Sequence, residues 1–361
     1  MKMPKNLYFV INDISMPGGL ARVTLNLYEQ FIIKYPHKYS VKIISATISE
    51  RKFVSNKNVI NLGLPPLHTK NKFQKVFWYV SFLFSLNKFF RYNQADVVIG
   101  IATIINLCLL SCQFKKNYKL FVSEHGAYEQ KRGFISFVRK ILYKRADLVI
   151  SLTDIDSKKF KQYLPHVVAI PNFTSFYKNN QYSLLNNKKL LCIGRFTKEK
   201  GVSELVSFIA PFLKRNLDWQ LTLIGEGPLE NIVKEKISDF NLENNIFISK
   251  PVLEVEKEYL SNSIYILPSK TEGFPMVLLE AKSFGLPIVS FNCPTGPSEI
   301  VQDGEDGFLI PMGRNDLFLE KLQLLVNDQS LREKMGAKAL INIKEFHPDK
   351  IMAKWIKILD E

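Results

Sequence analysis

Two glutamates and two cations stand where they could hold a phosphorylated sugar. In the stretch Pro268-Ser-Lys-Thr-Glu-Gly-Phe-Pro-Met-Val-Leu-Leu-Glu-Ala-Lys-Ser-Phe-Gly-Leu-Pro287, Glu272 precedes a helix candidate and Glu280 lies inside it. The loop Glu272-Gly273-Phe274-Pro275 opens that helix, and Pro275 suits a first turn because its missing N–H would have no partner there. A helix start is positive and rich in free amides, so at the C-terminal edge of a parallel sheet it favours phosphate. The glutamates add acceptors for hydroxyls. Arg195 and Lys200 leave another strand end together with Gly201, so two cations can meet a diphosphate.

These residues need strands to carry them. Ile264-Tyr-Ile-Leu267 and Pro287-Ile-Val-Ser-Phe291 flank the central stretch, and Leu190-Leu-Cys-Ile-Gly194, Gln220-Leu-Thr-Leu-Ile-Gly225, Ile246-Phe-Ile248 and Gly307-Phe-Leu-Ile310 complete one set of short apolar runs. An earlier set reads Leu7–Ile11, Val41–Ser45, Ala95–Gly100, Leu120–Ser123, Ala146–Ser151 and Val167–Asn172. Strands alternating with helical segments imply parallel sheets covered by helices on both faces. In the first set of strands, Gly18-Gly19 occupies a strand-to-helix turn where backbone can approach a ligand. His125 follows the run Leu120–Ser123, at an edge that commonly faces a ligand cleft.

The chain, 361 residues long, divides most simply into two domains. The expected boundaries are an N-terminal domain over 1–172, a polar linker over 173–188, a second domain over 189–345, and a C-terminal helix over 346–361 that packs back on the first domain. Met1-Lys-Met-Pro-Lys5 leads straight into a strand, which argues against a signal peptide. The uncharged stretch from Val97 to Phe114 is too diluted by Gly100, Thr103, Asn106 and Ser111 for the roughly 20 apolar residues of a spanning helix, and reads as a strand and a buried helix. The cysteines Cys108, Cys112, Cys192 and Cys293 lack metal-ligand or disulfide spacing and read as reduced, buried thiols of a cytoplasmic protein. Asp154-Ile-Asp156 is formally D-x-D, but its place after a strand is explained better by helix capping than by a metal.

Charge is unevenly shared. Residues 1–172 hold 26 Lys and Arg against 9 Asp and Glu, whereas the remainder holds 23 against 25. The first half therefore carries +17 and implies an anionic partner surface, membrane phospholipid or nucleic acid. The segment from Lys70 to Arg91 is a helix candidate rich in aromatics, including Phe77, Trp78 and Phe84, and fringed by Lys72, Lys75, Lys88 and Arg91. It suits either a core helix or a helix lying in a membrane interface. A second basic segment, Lys131-Arg132 through Arg139-Lys140 to Lys144-Arg145, could belong to the same surface.

With these landmarks placed, the chain resembles the retaining, nucleotide-sugar-dependent glycosyltransferases often called family 4. The resemblance rests on six pieces in order: Gly194-Arg195-Phe-Thr-Lys-Glu-Lys200-Gly201, Gly225-Glu-Gly227, Glu272-Gly-Phe-Pro-Met-Val-Leu-Leu-Glu280-Ala, Gly285-Leu-Pro287, Gly296-Pro-Ser-Glu299-Ile-Val and Asp303-Gly-x-x-Gly307. It implies an α/β chain of GT-B architecture, two Rossmann-like domains facing each other across a cleft. It also implies that Arg195 and Lys200 neutralise the pyrophosphate, that Glu280 accepts the ribose hydroxyls, and that Glu272 and Gly273-Phe274-Pro275 contact sugar and phosphate. Glu299 is a neighbour, Gly225 belongs to the donor loop set, His125 matches a donor-sugar histidine, and Gly18-Gly19 matches an acceptor and phosphate loop. The resemblance implies retention by front-face attack without a protein nucleophile, and neither a cofactor nor a metal is expected. The glutamate loop and Cys293-Pro-Thr-Gly-Pro-Ser-Glu-Ile look most like enzymes of O-antigen, capsule and exopolysaccharide assembly.

The resulting expectation is a bacterial glycosyltransferase on the inner face of the plasma membrane that moves a hexose or N-acetylhexosamine from a nucleotide diphosphate donor, UDP-linked, to a lipid-linked saccharide. The alternatives are a GDP-mannose-dependent mannosyltransferase, a sugar-nucleotide epimerase of the same fold, and a basic nucleic-acid-binding protein. The last leaves the donor-site set unexplained and has no nucleic-acid motif, so no nucleic-acid partner is expected.

Overall fold

A computed structural model describes residues 3–16, 18–49, 58–67, 71–111, 117–252 and 254–361, with the side chain of Lys72 also outside the description. Lys70 and Cys112 lie outside the described residues, as do Met1 and Lys2 at the start. The chain forms two compact units, one of Met1–Asn172 with Ile351–Glu361 and one of Phe173–Lys350.

The first unit holds a seven-stranded parallel sheet. Its strands are β1 (Lys5–Asp13), β2 (Tyr39–Thr47), β3 (Val59–Asn61), β4 (Val97–Ile101), β5 (Lys119–Ser123), β6 (Leu148–Ser151) and β7 (Val167–Ala169), in the order β3-β2-β1-β4-β5-β6-β7. Short β3 has no counterpart among the apolar runs read from the sequence. Strands covered on both faces need apolar side chains at every position, and β4 is buried throughout. Alternation sorts the rest. Tyr8 and Val10 join Trp78, Phe82, Leu86, Ile105, Leu109 and Phe160 in one core layer. Phe9 points the other way, toward Phe31 and Trp355. Trp355 belongs to the helix Pro348–Asp360, which is held on this unit by Lys5 Nζ donating to Leu359 O at 2.6 Å and by the Lys38–Asp360 ion pair at 2.6 Å.

The second unit holds β8 (Lys189–Ile193), β9 (Gln220–Ile224), β10 (Ile246–Ser249), β11 (Ile264–Leu267), β12 (Ile288–Asn292) and β13 (Gly307–Pro311), in the order β10-β9-β8-β11-β12-β13, all parallel. Counted within the unit this is 3-2-1-4-5-6, the doubly wound order that reverses direction between its first and fourth strands. The segment expected to be a linker lies on this unit. Its side chains bond to it through Thr174 Oγ1 with Ser283 Oγ at 3.0 Å, Ser183 Oγ to Asn262 O at 2.6 Å and Asn187 Nδ2 to Ser261 O at 2.9 Å.

Candidate donor-binding site

Ligands of doubly wound sheets bind beyond the carboxyl ends of the strands where the order reverses. In the second unit that point lies between β8 and β11. Their pairing is short, Ile264 with Leu190 and Tyr265 with Leu191, and above it the Tyr265 hydroxyl makes contacts of 3.3 Å to Ile193 N and 3.2 Å to Ile193 O. A buried phenol thus occupies the opening, and burial raises its pKa well above the ordinary tyrosine value.

Arg195 and Lys200 follow β8. Arg195 is exposed, while Lys200 sits at the end of the 3-10 turn Lys198–Lys200 and is partly buried. Glu272 follows β11 and is buried. The two loops meet in one bidentate pair, Lys200 Nζ donating to Glu272 Oε1 at 2.7 Å and to Oε2 at 2.8 Å. Lys200 and Glu272 therefore form one ion pair, where the sequence reading gave them separate jobs. Gly201 makes this approach feasible. It adopts φ 66°, and a Cβ there would lie 2.3 Å from Pro268 O.

The Gly273-Phe274-Pro275 loop leads into the helix Met276–Ser283. Pro275 caps that helix with extended backbone, one residue before the first turn expected for it. Phe274 is buried against Phe346, 5.8 Å between ring centroids. Thr295, which the sequence reading passed over inside its Cys293–Ile300 motif, donates from Oγ1 to Glu272 O at 2.7 Å. Gly296, at φ 98°, lies so close that a Cβ would stand 2.7 Å from Pro275 Cδ. The Gly296-Pro-Ser-Glu299 piece is thus the wall that fixes the glutamate loop. Glu299 itself is partly exposed in the four-residue helix Pro297–Ile300.

Glu280 is buried, and its Oε2 accepts a 2.8 Å hydrogen bond from the hydroxyl of Tyr259. No motif pointed to Tyr259. Its signal, a tyrosine in the helix before β11, is visible only once Val255–Ser261 and Met276–Ser283 are seen side by side. The glutamate helix is pinned underneath by buried Lys282, whose Nζ donates to Asp306 Oδ2 and to Ile300 O, each at 2.6 Å.

Gly225 is explained by packing. A Cβ there would lie 1.9 Å from Gly194 O, so the loops after β8 and β9 interlock at a spacing open only to glycine. The thiols of Cys192 and Cys293 are both pushed up to about 12, chiefly by burial and further by the nearby Glu272 carboxylate. They are inert neighbours, and with Cys108 they are free and buried.

In the first unit the reversal lies between β1 and β4. Gly18 and Gly19 start the helix Gly19–Lys34 beyond β1, and a Cβ at either would meet nothing within 4 Å. His125 lies beyond β5, partly buried, with Nε2 3.1 Å from Ser123 Oγ. Burial lowers its pKa to about 4, so it is neutral at ordinary pH and acts as a hydrogen-bonding group. Asp154 and Asp156 are in the first turn of Asp154–Lys161, where Thr153 Oγ1 accepts from Asp156 N at 3.1 Å and Asp156 Oδ2 accepts from Tyr128 N at 3.1 Å.

Arg139, from the second basic segment, and Trp78, on the helix read as either core or interfacial, belong to the interior. Arg139 is 1% exposed, donates from Nη2 to Tyr128 O at 3.0 Å, and lies over the Tyr128 and Phe160 rings at 4.3 and 5.2 Å. Trp78 is 3% exposed, with Nε1 donating to Pro65 O. Phe77 and Phe84 are exposed, as are Lys88, Arg91, Arg132, Lys140, Lys144 and Arg145. Among the described residues, no helix is long and apolar enough to cross a membrane.

Residues 176–340 match the family described as Glycosyl transferases group 1. Along its length the chain is similar to the amylovoran biosynthesis glycosyltransferase AmsD of Erwinia amylovora, 27% identical over 98% of this chain and 99% of that protein. It is also similar to the GalNAc-alpha-(1->4)-GalNAc-alpha-(1->3)-diNAcBac-PP-undecaprenol alpha-1,4-N-acetyl-D-galactosaminyltransferase of Campylobacter jejuni, 23% identical over 98% of both chains. Among solved structures, a TarM variant of S. aureus in complex with UDP, alpha-GlcNAc-glycerol and fondaparinux superposes with TM-score 0.83 at 13% identity, over 99% of this chain and 100% of that one. The chain is accordingly a glycosyltransferase of the GT-B fold, and its residues 176–340 carry the match to the group 1 family.

Proposed function

We propose that this glycosyltransferase moves a hexose or N-acetylhexosamine, with retention of configuration, from a UDP-sugar to a lipid-linked saccharide during bacterial surface polysaccharide assembly. One observation carries the donor half of this reading: Lys200 and Glu272 meet at the strand-order reversal of the second sheet, beside the start of Met276–Ser283. The incoming diphosphate competes with Glu272 for Lys200, Arg195 supplies a second cation, and the helix start supplies amides. Released from Lys200, the Glu272 carboxylate is an acceptor for sugar hydroxyls, while Glu280 takes the ribose. The departing phosphate receives the acceptor hydroxyl's proton, and catalysis rests on placement and charge. In the first unit, the candidate ligand-facing residues are neutral His125 and Gly18-Gly19. No metal or further cofactor is invoked.

Support for UDP comes from the relatives: the TarM structure holds UDP, and so does one of the pneumococcal O-GlcNAc transferase GtfA. Support for the acceptor comes from the Campylobacter relative, whose name specifies an undecaprenyl diphosphate saccharide. Support for a membrane-facing position comes from two helices. Lys72–Tyr92 exposes Phe73, Phe77, Val80 and Phe84 along one stripe, and Gly133–Leu142 exposes Phe134, Phe137 and Ile141 along another. Exposed Lys88 and Arg91 follow the first stripe and exposed Arg132 and Lys140 border the second, the pattern of an interfacial rather than spanning helix.

The test is release of nucleoside diphosphate from a panel of UDP-hexoses, UDP-N-acetylhexosamines and GDP-mannose, with and without lipid-linked saccharides, followed by NMR of the product. Acceptor-dependent UDP release and an α-linked product are expected. Turnover of GDP-mannose alone, or a β-linked product, contradicts the reading.

A further inference from the structure

We infer that Tyr259 is a positioning residue for the donor's ribose: it sets the Glu280 carboxylate in the orientation that the ribose diol requires. The inference rests on the proposed role of Glu280 and goes beyond it. Glu280 is 1% exposed and Tyr259 0% exposed, so their 2.8 Å bond lies in the interior of the second unit, where a phenol donating to a carboxylate is little weakened by water. The phenol cannot turn away. Its ring stacks on Phe284 at 5.2 Å and 5°, with Phe176 at 6.4 Å and Tyr265 at 6.1 Å on other sides.

The two residues also straddle one strand. Tyr259 is in the helix Val255–Ser261 entering β11 and Glu280 in the helix Met276–Ser283 leaving the loop after it. Whatever fixes the ring therefore fixes the carboxylate relative to the sheet edge, independently of the Lys200–Glu272 pair. A bidentate acceptor for two vicinal hydroxyls demands that control, because rotating the carboxylate plane leaves one hydroxyl without its bond. The nearby Tyr265, holding Ile193 in the neighbouring strand end, makes the pair of phenols a common floor for both loops.

The experiment is titration calorimetry of UDP and of 2′,3′-dideoxy-UDP, with GDP and its dideoxy form in parallel, against wild type, Tyr259→Phe, Glu280→Gln and the double variant. Tyr259→Phe is expected to weaken the ribonucleotide about tenfold while leaving the dideoxy form within about twofold. Equal weakening of both forms, or none of either, overturns the inference, because a merely structural phenol would not distinguish them. If Glu280→Gln keeps the full preference for ribose, the underlying assignment of Glu280 fails instead. Should Tyr259→Phe fail to fold, the double variant decides. Matching Glu280→Gln alone supports action through Glu280, and a further loss of ribose preference overturns it.

Discussion

Lys200 and Glu272 were legible as chemistry-bearing residues, but their mutual bond was not, since no spacing in a chain says that side chains from two strand ends will touch. The pair separates stability from function in a testable way. Lys200→Ala leaves the buried Glu272 carboxylate without its cation, so a loss of about 1–3 kcal/mol is expected in denaturant unfolding, together with a loss of transfer of 100-fold or more. Adding Glu272→Gln should restore most of the stability and none of the activity. A double variant that regains turnover would show the pair to be structural. His125 gives a second prediction. Its pKa is depressed to about 4 in the fold against about 6.5 in an unfolded chain, so the unfolded state binds the proton first. His125 therefore leaves stability unchanged above about pH 6.5 and lowers it as pH falls toward about 4, a slope that His125→Gln should remove in urea titrations across that range. Turnover should show no histidine ionisation near pH 6.5.

At the level of elements, the apolar runs disclosed nearly all the strands because parallel strands covered on both faces admit little else. Three-residue β3 lacked such a run. The segment expected to be a linker was polar, yet it is bonded along the second unit by hydroxyl and amide groups, and composition cannot distinguish a polar tether from a polar staple. Aromatic content likewise did not say which rings face inward. On Lys72–Tyr92 the face settles it. Trp78→Ser should destabilise the protein by about 3–5 kcal/mol, whereas Phe77→Ser with Phe84→Ser should leave the melting temperature unchanged and abolish flotation with anionic vesicles. A doubly substituted protein that floats as wild type does would remove this helix from any membrane contact. The glycines divide in the same manner. Gly225→Ala forces a Cβ onto Gly194 O and is expected to give misfolded protein, while Gly19→Ala meets open space and should fold normally. Circular dichroism and yield distinguish the two, and a loss of transfer in folded Gly19→Ala would mark that turn as a ligand loop.

Over the whole molecule, two sheets of Rossmann type and a strongly basic first half follow from patterns a single sequence displays, and the comparisons place the chain among glycosyltransferases. The donor's sugar and the acceptor are set by side chains that no pattern in one sequence discloses, because different hydroxyl arrangements are read by the same residue types in slightly different positions. The account's central claim is narrower: the second unit binds a nucleoside diphosphate through Lys200. Calorimetric titration of UDP and of uridine into wild type and Lys200→Ala tests it most directly, with GDP and guanosine as the parallel pair. Wild type is predicted to prefer the diphosphate strongly over the nucleoside, and Lys200→Ala to lose at least tenfold in diphosphate affinity while binding the nucleoside unchanged. Undiminished diphosphate binding by a folded Lys200→Ala variant would contradict the account.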